Sequence, residues 1–209
     1  MARKKNRRKA AAQAADQVQH DRARTRQLWV NRAVLAGLPL ILLAGAWLAW
    51  TAHDQRTSFN ALIEQGQSAL TDVTRESSKG RTHVANGTPV AADEDFPLSG
   101  THWPSWVDPG FYTEPREKGQ LIHSLEHGMI VIYYGQLDDE AESRLHAWTN
   151  RFNGDWSGLV VVPHPRLRNR QELVVTAWQH RLDLNEFDPA AIAAFMDEFR
   201  GKGPENPVR

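Results

Sequence analysis

Residues 33 to 52, AVLAGLPLILLAGAWLAWTA, run for twenty positions without a charge, and this stretch constrains the chain more than any other. At about 1.5 Å of rise per residue, such a run reaches roughly 30 Å as a helix, the thickness of one hydrocarbon core. Pro39 lies within it, and a membrane helix tolerates one proline better than a soluble helix does. Trp29, Trp47 and Trp50 stand near its two ends, where amphipathic rings favour the membrane interface. A buried core helix of this length rarely lacks a polar face. The basic stretch before it is too long for a cleaved signal peptide, and no clean A-x-A site follows. The expectation is an uncleaved transmembrane helix.

Charge gives the orientation. Residues 1 to 32 carry ten Lys/Arg against Asp16 and Asp21. From totals of 25 basic and 25 acidic residues, the rest of the chain then has fifteen basic and twenty-three acidic. The positive-inside rule places the basic arm in the cytoplasm and residues 53 to 209 outside. The expectation is a single-pass protein in the cell membrane with a periplasmic or otherwise extracytoplasmic domain. The arm has no interleaved aromatics and no recognisable fold, so it reads as a tail against anionic lipid and not as a nucleic-acid binder. The chain has no cysteine, which excludes disulfides, thiolate metal sites and a catalytic thiol.

Beyond the membrane run, residues 53 to 82 read as a helical stalk or linker, with Phe59, Leu62, Ile63, Gly66, Leu70 and Val73 at helical spacing. Residues 83 to 119 are rich in Pro, Gly and Asp, yet carry Phe96, Trp103, Trp106, Phe111 and Tyr112. So many large rings predict an ordered, irregular segment. Regular structure follows. Strands are expected at 129–134 (MIVIYY), 158–163 (GLVVVP) and 172–178 (ELVVTAW). A helix is expected between the first two, with Leu137, Ala141, Leu145, Trp148 and Phe152 as its apolar stripe. A last helix starts at the Asp188-Pro189 cap pair. The fold class is α+β: a small mixed sheet in the order strand-helix-strand-strand-helix. Its first two strands are expected to be parallel through a right-handed crossover, and its last two to form a hairpin.

The chemistry lies before the first of these strands. Residues 123 to 128 read HSLEHG, an H-x-x-E-H arrangement that is the inverted form of a zinc-peptidase signature. His83 and His102 stand nearby in sequence, within the irregular segment. A segment folded over the sheet brings such rings together, and three imidazoles hold zinc or copper. The expected metal ligands are His102, His123 and His127, with His83 as a fourth and Glu126 as a ligand or as an acceptor for a ligand's second nitrogen. Copper is favoured over zinc because Met129 adjoins the cluster and thiols are absent. His20, His53, His146, His164 and His180 have no partner in sequence.

Two other readings stand beside this one. A zinc peptidase requires His123 and His127 on one face of a continuous helix, and a third ligand from a later helix, where Glu140, Glu142 and Glu198 are on offer. Gly119, Gly128 and the strand directly after leave that helix little room. The other reading is a metal-free module that binds a partner in a membrane complex, its histidines satisfying backbone groups and its Trp103, Trp106, Trp156 and Trp178 forming core or a contact surface. No nucleophile elbow, phosphate loop or dinucleotide fingerprint is present, so no catalytic residue and no organic cofactor are assigned.

Over about residues 80 to 206 the chain resembles the DUF3105 family. The marks are Gly80 with RTHV after it, PLSGTHWP at 97–104, GFY at 110–112, LIHSLEHGMIVIYY at 121–134, TAW at 176–178 and GPE at 203–205. The family's PPTSGPH run stands here as FPLSGTH. It keeps Ser99, Gly100 and His102, while Thr101 replaces the proline before the histidine. The resemblance implies an anchored extracytoplasmic domain at residues 83 to 209 and supplies no activity.

Overall fold

A computed structural model describes residues 58 to 205, together with the single positions 22, 24, 26, 43, 45 and 47. Apart from these positions, the basic arm and the run expected to cross a membrane lie outside the described residues, as do His20 and His53. No helix among the described residues is long and apolar enough to cross a membrane.

The compact unit Ser58–Arg209 is built on one six-stranded mixed sheet with four helices. Helix α1 covers residues 58–66 and leads into a 3-10 turn at Gln67–Asp72. Strands β1 (Thr74–Arg75) and β2 (Gly110–Phe111) are short. Then come α2 (Lys118–Glu126), β3 (Ile130–Tyr134), α3 (Asp139–Arg151), β4 (Leu159–Pro163), β5 (Leu173–Ala177), β6 (His180–Leu184) and α4 (Pro189–Phe199). The sheet order is β1-β6-β5-β3-β4-β2. The expected α+β class, with its mixed sheet, is what the chain adopts.

Alternation along the strands sorts their side chains between two layers, because successive residues of a strand face opposite ways. Ile130, Ile132, Leu159, Val161, Leu173 and Val175 join Leu145 and Trp148 of α3, Ile192, Phe195 and Met196 of α4, and Phe59 of α1. Val131, Tyr133, Val160, Val162 and Val174 face the other way, into a smaller layer with Leu121 and Leu125 of α2, Phe96, Val107 and Met129. The expected Asp188 cap forms, and Asp138 caps α3. Asp138 accepts from Ala141 N at 2.8 Å, and Asp188 accepts from Ala190 N and Ala191 N ahead of α4.

The expected parallel pairing is present, β3 lying beside β4 with α3 between them in sequence. The expected hairpin of the second and third strands is not. Instead β5 runs antiparallel to β3, on the opposite side from β4. The outer edge of β4 is taken by β2, so the chain from 164 to 172 must cross to the other side of β3. The hairpin partner of β5 is β6, reached through a turn in which Gln179 has φ +66°. That strand, HRLDL, buries only Leu182, so its sequence carries no apolar run to announce it.

Residues 58 to 82, expected as a stalk, pack on this unit. Phe59 meets Trp148 edge-on at 5.6 Å, and Gly66 passes so close to α4 that a Cβ there would sit 1.9 Å from Ala190 O. The helix through HSLEHG also has more room than expected, because Gly119 lies inside α2 and does not end it. A Cβ at Gly119 would fall 2.7 Å from the Trp103 ring, so this glycine lets the irregular segment close down on the helix.

Candidate metal centre

The irregular segment is held by its backbone. Gly100 N donates to Gly80 O, His102 N to Thr82 O, and Val84 N to His102 O, all within 3.0 Å, so residues 80–84 run alongside 100–102. Gly80 and Gly100 take φ of +91° and +121°, a region that side chains with a Cβ avoid. This parallel bridge sets His83 beside His102, their ring centres 4.6 Å apart. Trp103 N then donates to Gly119 O, and Ser124 clamps the next stretch. Its hydroxyl accepts from Val107 N and lies within hydrogen-bond reach of Val107 O and Gln120 O.

Helix α2 presents the other half. His123 and His127, four residues apart, share one face, and their Nε2 atoms lie 3.0 Å apart. All four expected histidines therefore converge. His123 is 5.0 Å from both His83 and His102, ring centre to ring centre, and 4.6 Å from His127. Glu126 turns to the His102 side, its Oε2 standing 2.8 Å from His102 Nε2 and 3.7 Å from His83 Nε2. His102, His123, Glu126 and His127 are all buried.

The remaining contacts fix which nitrogens are free. Nδ1 of His102 lies 2.7 Å from Gly100 O, that of His123 2.6 Å from Trp103 O, and that of His127 3.1 Å from Asp155 O. A carbonyl oxygen has no hydrogen to give, so each Nδ1 is the N–H donor. The neutral rings of His123 and His127 then each present a bare lone pair at Nε2, while Nε2 of His102 faces Glu126. Between His123 and His127 two such lone pairs face each other, an arrangement that needs a shared positive charge. Burial pushes the His123 pKa down, with the carbonyl of Trp103 and the Glu205 carboxylate opposing and the neighbouring imidazoles assisting.

Glu205 is the residue that sequence reasoning missed. Its Oε2 lies 3.1 Å from His127 Nε2 and 3.6 Å from His123 Nε2. It is delivered by the tail of the chain, which is stapled to the end of α2. Gly201 N donates to Gly128 O, and Glu205 N to Glu126 O. Gly128, at φ +94°, and Gly203 are packed backbone to backbone; a Cβ on Gly203 would lie 2.1 Å from Glu126 O. The GPE triplet at 203–205 was the available signal, but nothing in its spacing ties it to HSLEHG.

Three donors thus form a triangle with edges of 3.0, 3.1 and 3.6 Å. A tetrahedral ion with bonds of about 2.0 Å needs donor separations of about 3.3 Å, which these edges bracket. Among the described residues, two groups meet the requirement of three close ligand atoms: His83, His102 and His123, and His123, His127 and Glu205. Trp156 stacks on His127 at 3.9 Å and Trp106 lies 4.7 Å from it, both partly exposed. The other residues weighed from sequence lie elsewhere. His146 stacks on Phe111, His180 on Phe199, and His164 packs on Phe96. Glu140 pairs with Arg144 and Glu198 with Lys202, while Glu142 stands 3.9 Å from His146. Met129 is fully buried in the apolar layer under α2.

No curated protein and no solved structure matches this chain. A family model described as "Protein of unknown function (DUF3105)" matches residues 83–209, which include every one of these donors and more than half of the sequence. The chain belongs to the DUF3105 family.

Proposed function

We propose that this chain is a membrane-anchored, extracytoplasmic protein that binds a transition-metal ion through its histidine cluster and performs no catalysis on it. The anchoring rests on the uncharged run at residues 33 to 52 and on the charge split around it. The metal reading rests on one observation above the rest. The Nε2 atoms of His123 and His127 face each other at 3.0 Å while both Nδ1 hydrogens are committed to carbonyl oxygens. A cation completes that arrangement, and the Glu205 carboxylate offsets its charge.

The donor set suits zinc better than copper. Nitrogen and carboxylate ligands near tetrahedral spacing are what zinc takes. The sequence argument for copper rested on Met129, whose place in the apolar layer explains it without a metal. In a metal-free partner-binding module one proton would lie between the two rings instead, with Glu205 beside it. The peptidase reading gains the continuous helix it required, but its expected water-activating group, Glu126, is held 2.8 Å from His102. Hydrolysis abolished by Glu126→Gln with metal retained would restore that reading.

The test is the metal content of the purified full-length chain, with and without His123→Ala plus His127→Ala. The parent chain is expected to carry bound metal that the double variant loses. Equal, near-zero metal in both contradicts the proposal.

A further inference from the structure

His123 has one nitrogen to give, and two donor groups ask for it. Its Nδ1 is spent on Trp103 O, so Nε2 alone remains. His123 belongs to two groups of close donors, with His83 and His102 on one side and with His127 and Glu205 on the other, the ligand atoms of each group lying within 4.8 Å of one another. A neutral imidazole nitrogen carries one lone pair and binds one ion at a time. Two ions that each need His123 cannot be held together.

Each group has a carboxylate at hand. Glu126 stands beside the first, 2.8 Å from His102 Nε2, and Glu205 is a member of the second. Each also has an exposed member. The His83 side chain is 45% exposed and that of Glu205 38%, whereas that of His123 between them is only 5% exposed. The row of donors therefore has an exposed residue at either end and a buried one in the middle.

We infer that His123 is the shared ligand of two mutually exclusive positions for a single ion, so that the cluster hands an ion from its His83 end to its Glu205 end or back. The inference rests on the metal-binding reading above. The step is ligand substitution. The ion keeps its oxidation state and its bond to His123, the incoming lone pairs bond as the outgoing ones leave, and the proton shared by His102 and Glu126 departs to water when the ion arrives there. The partners that suit such a site are an ion donor and an ion acceptor, each presenting nitrogen or carboxylate ligands of its own.

The experiment is a Zn2+ titration of the full-length chain, counting ions bound. The parent chain is expected to bind one. His83→Ala with His102→Ala is expected to keep one at the Glu205 end, and His127→Ala with Glu205→Ala to keep one at the Glu126 end. Adding His123→Gln to either is expected to weaken it by at least about tenfold, the scale on which even outer-sphere changes act. Two ions in the parent chain overturn the inference, and that count stands even if a variant misfolds. So does a folded half-site variant that binds nothing, or one indifferent to His123. A parent chain that binds no ion sinks the metal reading itself, a result distinct from these.

Discussion

The two faces of the sheet are made differently. The face toward α1, α3 and α4 is filled mainly by aliphatic and aromatic side chains, from Ile130 and Val161 to Phe195 and Met196. The face toward α2 has a thinner apolar layer, and above it four histidines, two glutamates and a set of glycine contacts that hold loop against helix. The first face earns its stability from area removed from water, which needs no particular partner. The second depends on hydrogen bonds whose partners must all be in place, since an unmade bond there costs more than a made one contributes. The apolar core and the proposed metal site thus lie on opposite sides of one sheet.

Substitutions that separate these roles test the division, and the largest effect belongs to the apolar face. Phe195→Ala removes a fully buried ring, and about 3–5 kcal/mol of unfolding free energy is expected to go with it. Folded chains of this variant should bind as much metal as the parent. Denaturant unfolding and metal analysis on one preparation decide the matter, and a loss of metal from folded Phe195→Ala protein would blur the comparison. On the other face, Ser124→Ala leaves the buried Val107 N–H without its acceptor. A cost of about 1–3 kcal/mol is expected, again by denaturant unfolding. Metal affinity should weaken with it, because the clamp that seats the irregular segment on α2 is gone.

Acid sharpens the same contrast. Burial lowers the pKa of His123, and that of His164, where Lys118 adds to the effect. Both groups belong to the face toward α2. A histidine whose folded pKa lies below its unfolded value of about 6.5 binds fewer protons when folded. Between those two values stability rises with pH; above about 6.5 the contribution is fully present, and below the folded value it is lost. The metal-free chain is therefore expected to show a lower urea midpoint at about pH 5 than at about pH 7.5. Replacing His164 by Gln should shrink that difference, and an unchanged difference would show that its burial does not matter. The smallest effect is expected at Tyr133, whose hydroxyl is buried without a hydrogen-bond partner among the described residues. Tyr133→Phe is expected to be neutral or to stabilise by about 1 kcal/mol in the same assay.

The apolar face was legible because its signal is local. Leu137, Ala141, Leu145, Trp148 and Phe152 announce α3 by spacing alone, and IVIYY and LVVVP read as buried strands. The pairing of β5 with β3 was not legible, since it turns on which strand edges are already taken. On the site face, His83, His102, His123 and His127 could be grouped because they lie close together in sequence beside one strand. Glu205 could not, because its arrival depends on Gly128 and Gly203 passing backbone to backbone. Gly119 was misread for a related reason: in a helix it looks like a stop, and only the Trp103 ring above it explains why nothing larger fits.

The facing nitrogens of His123 and His127 can be observed directly. Nitrogen NMR of the imidazoles, with Zn2+ added stepwise to the full-length chain at neutral pH, reports which ring nitrogen carries hydrogen and which meets the ion. Both residues are expected to hold their hydrogen on Nδ1 throughout, with both Nε2 signals shifting together as the first equivalent binds. Hydrogen found on Nε2 of either ring, unmoved by the metal, would contradict a cation between them.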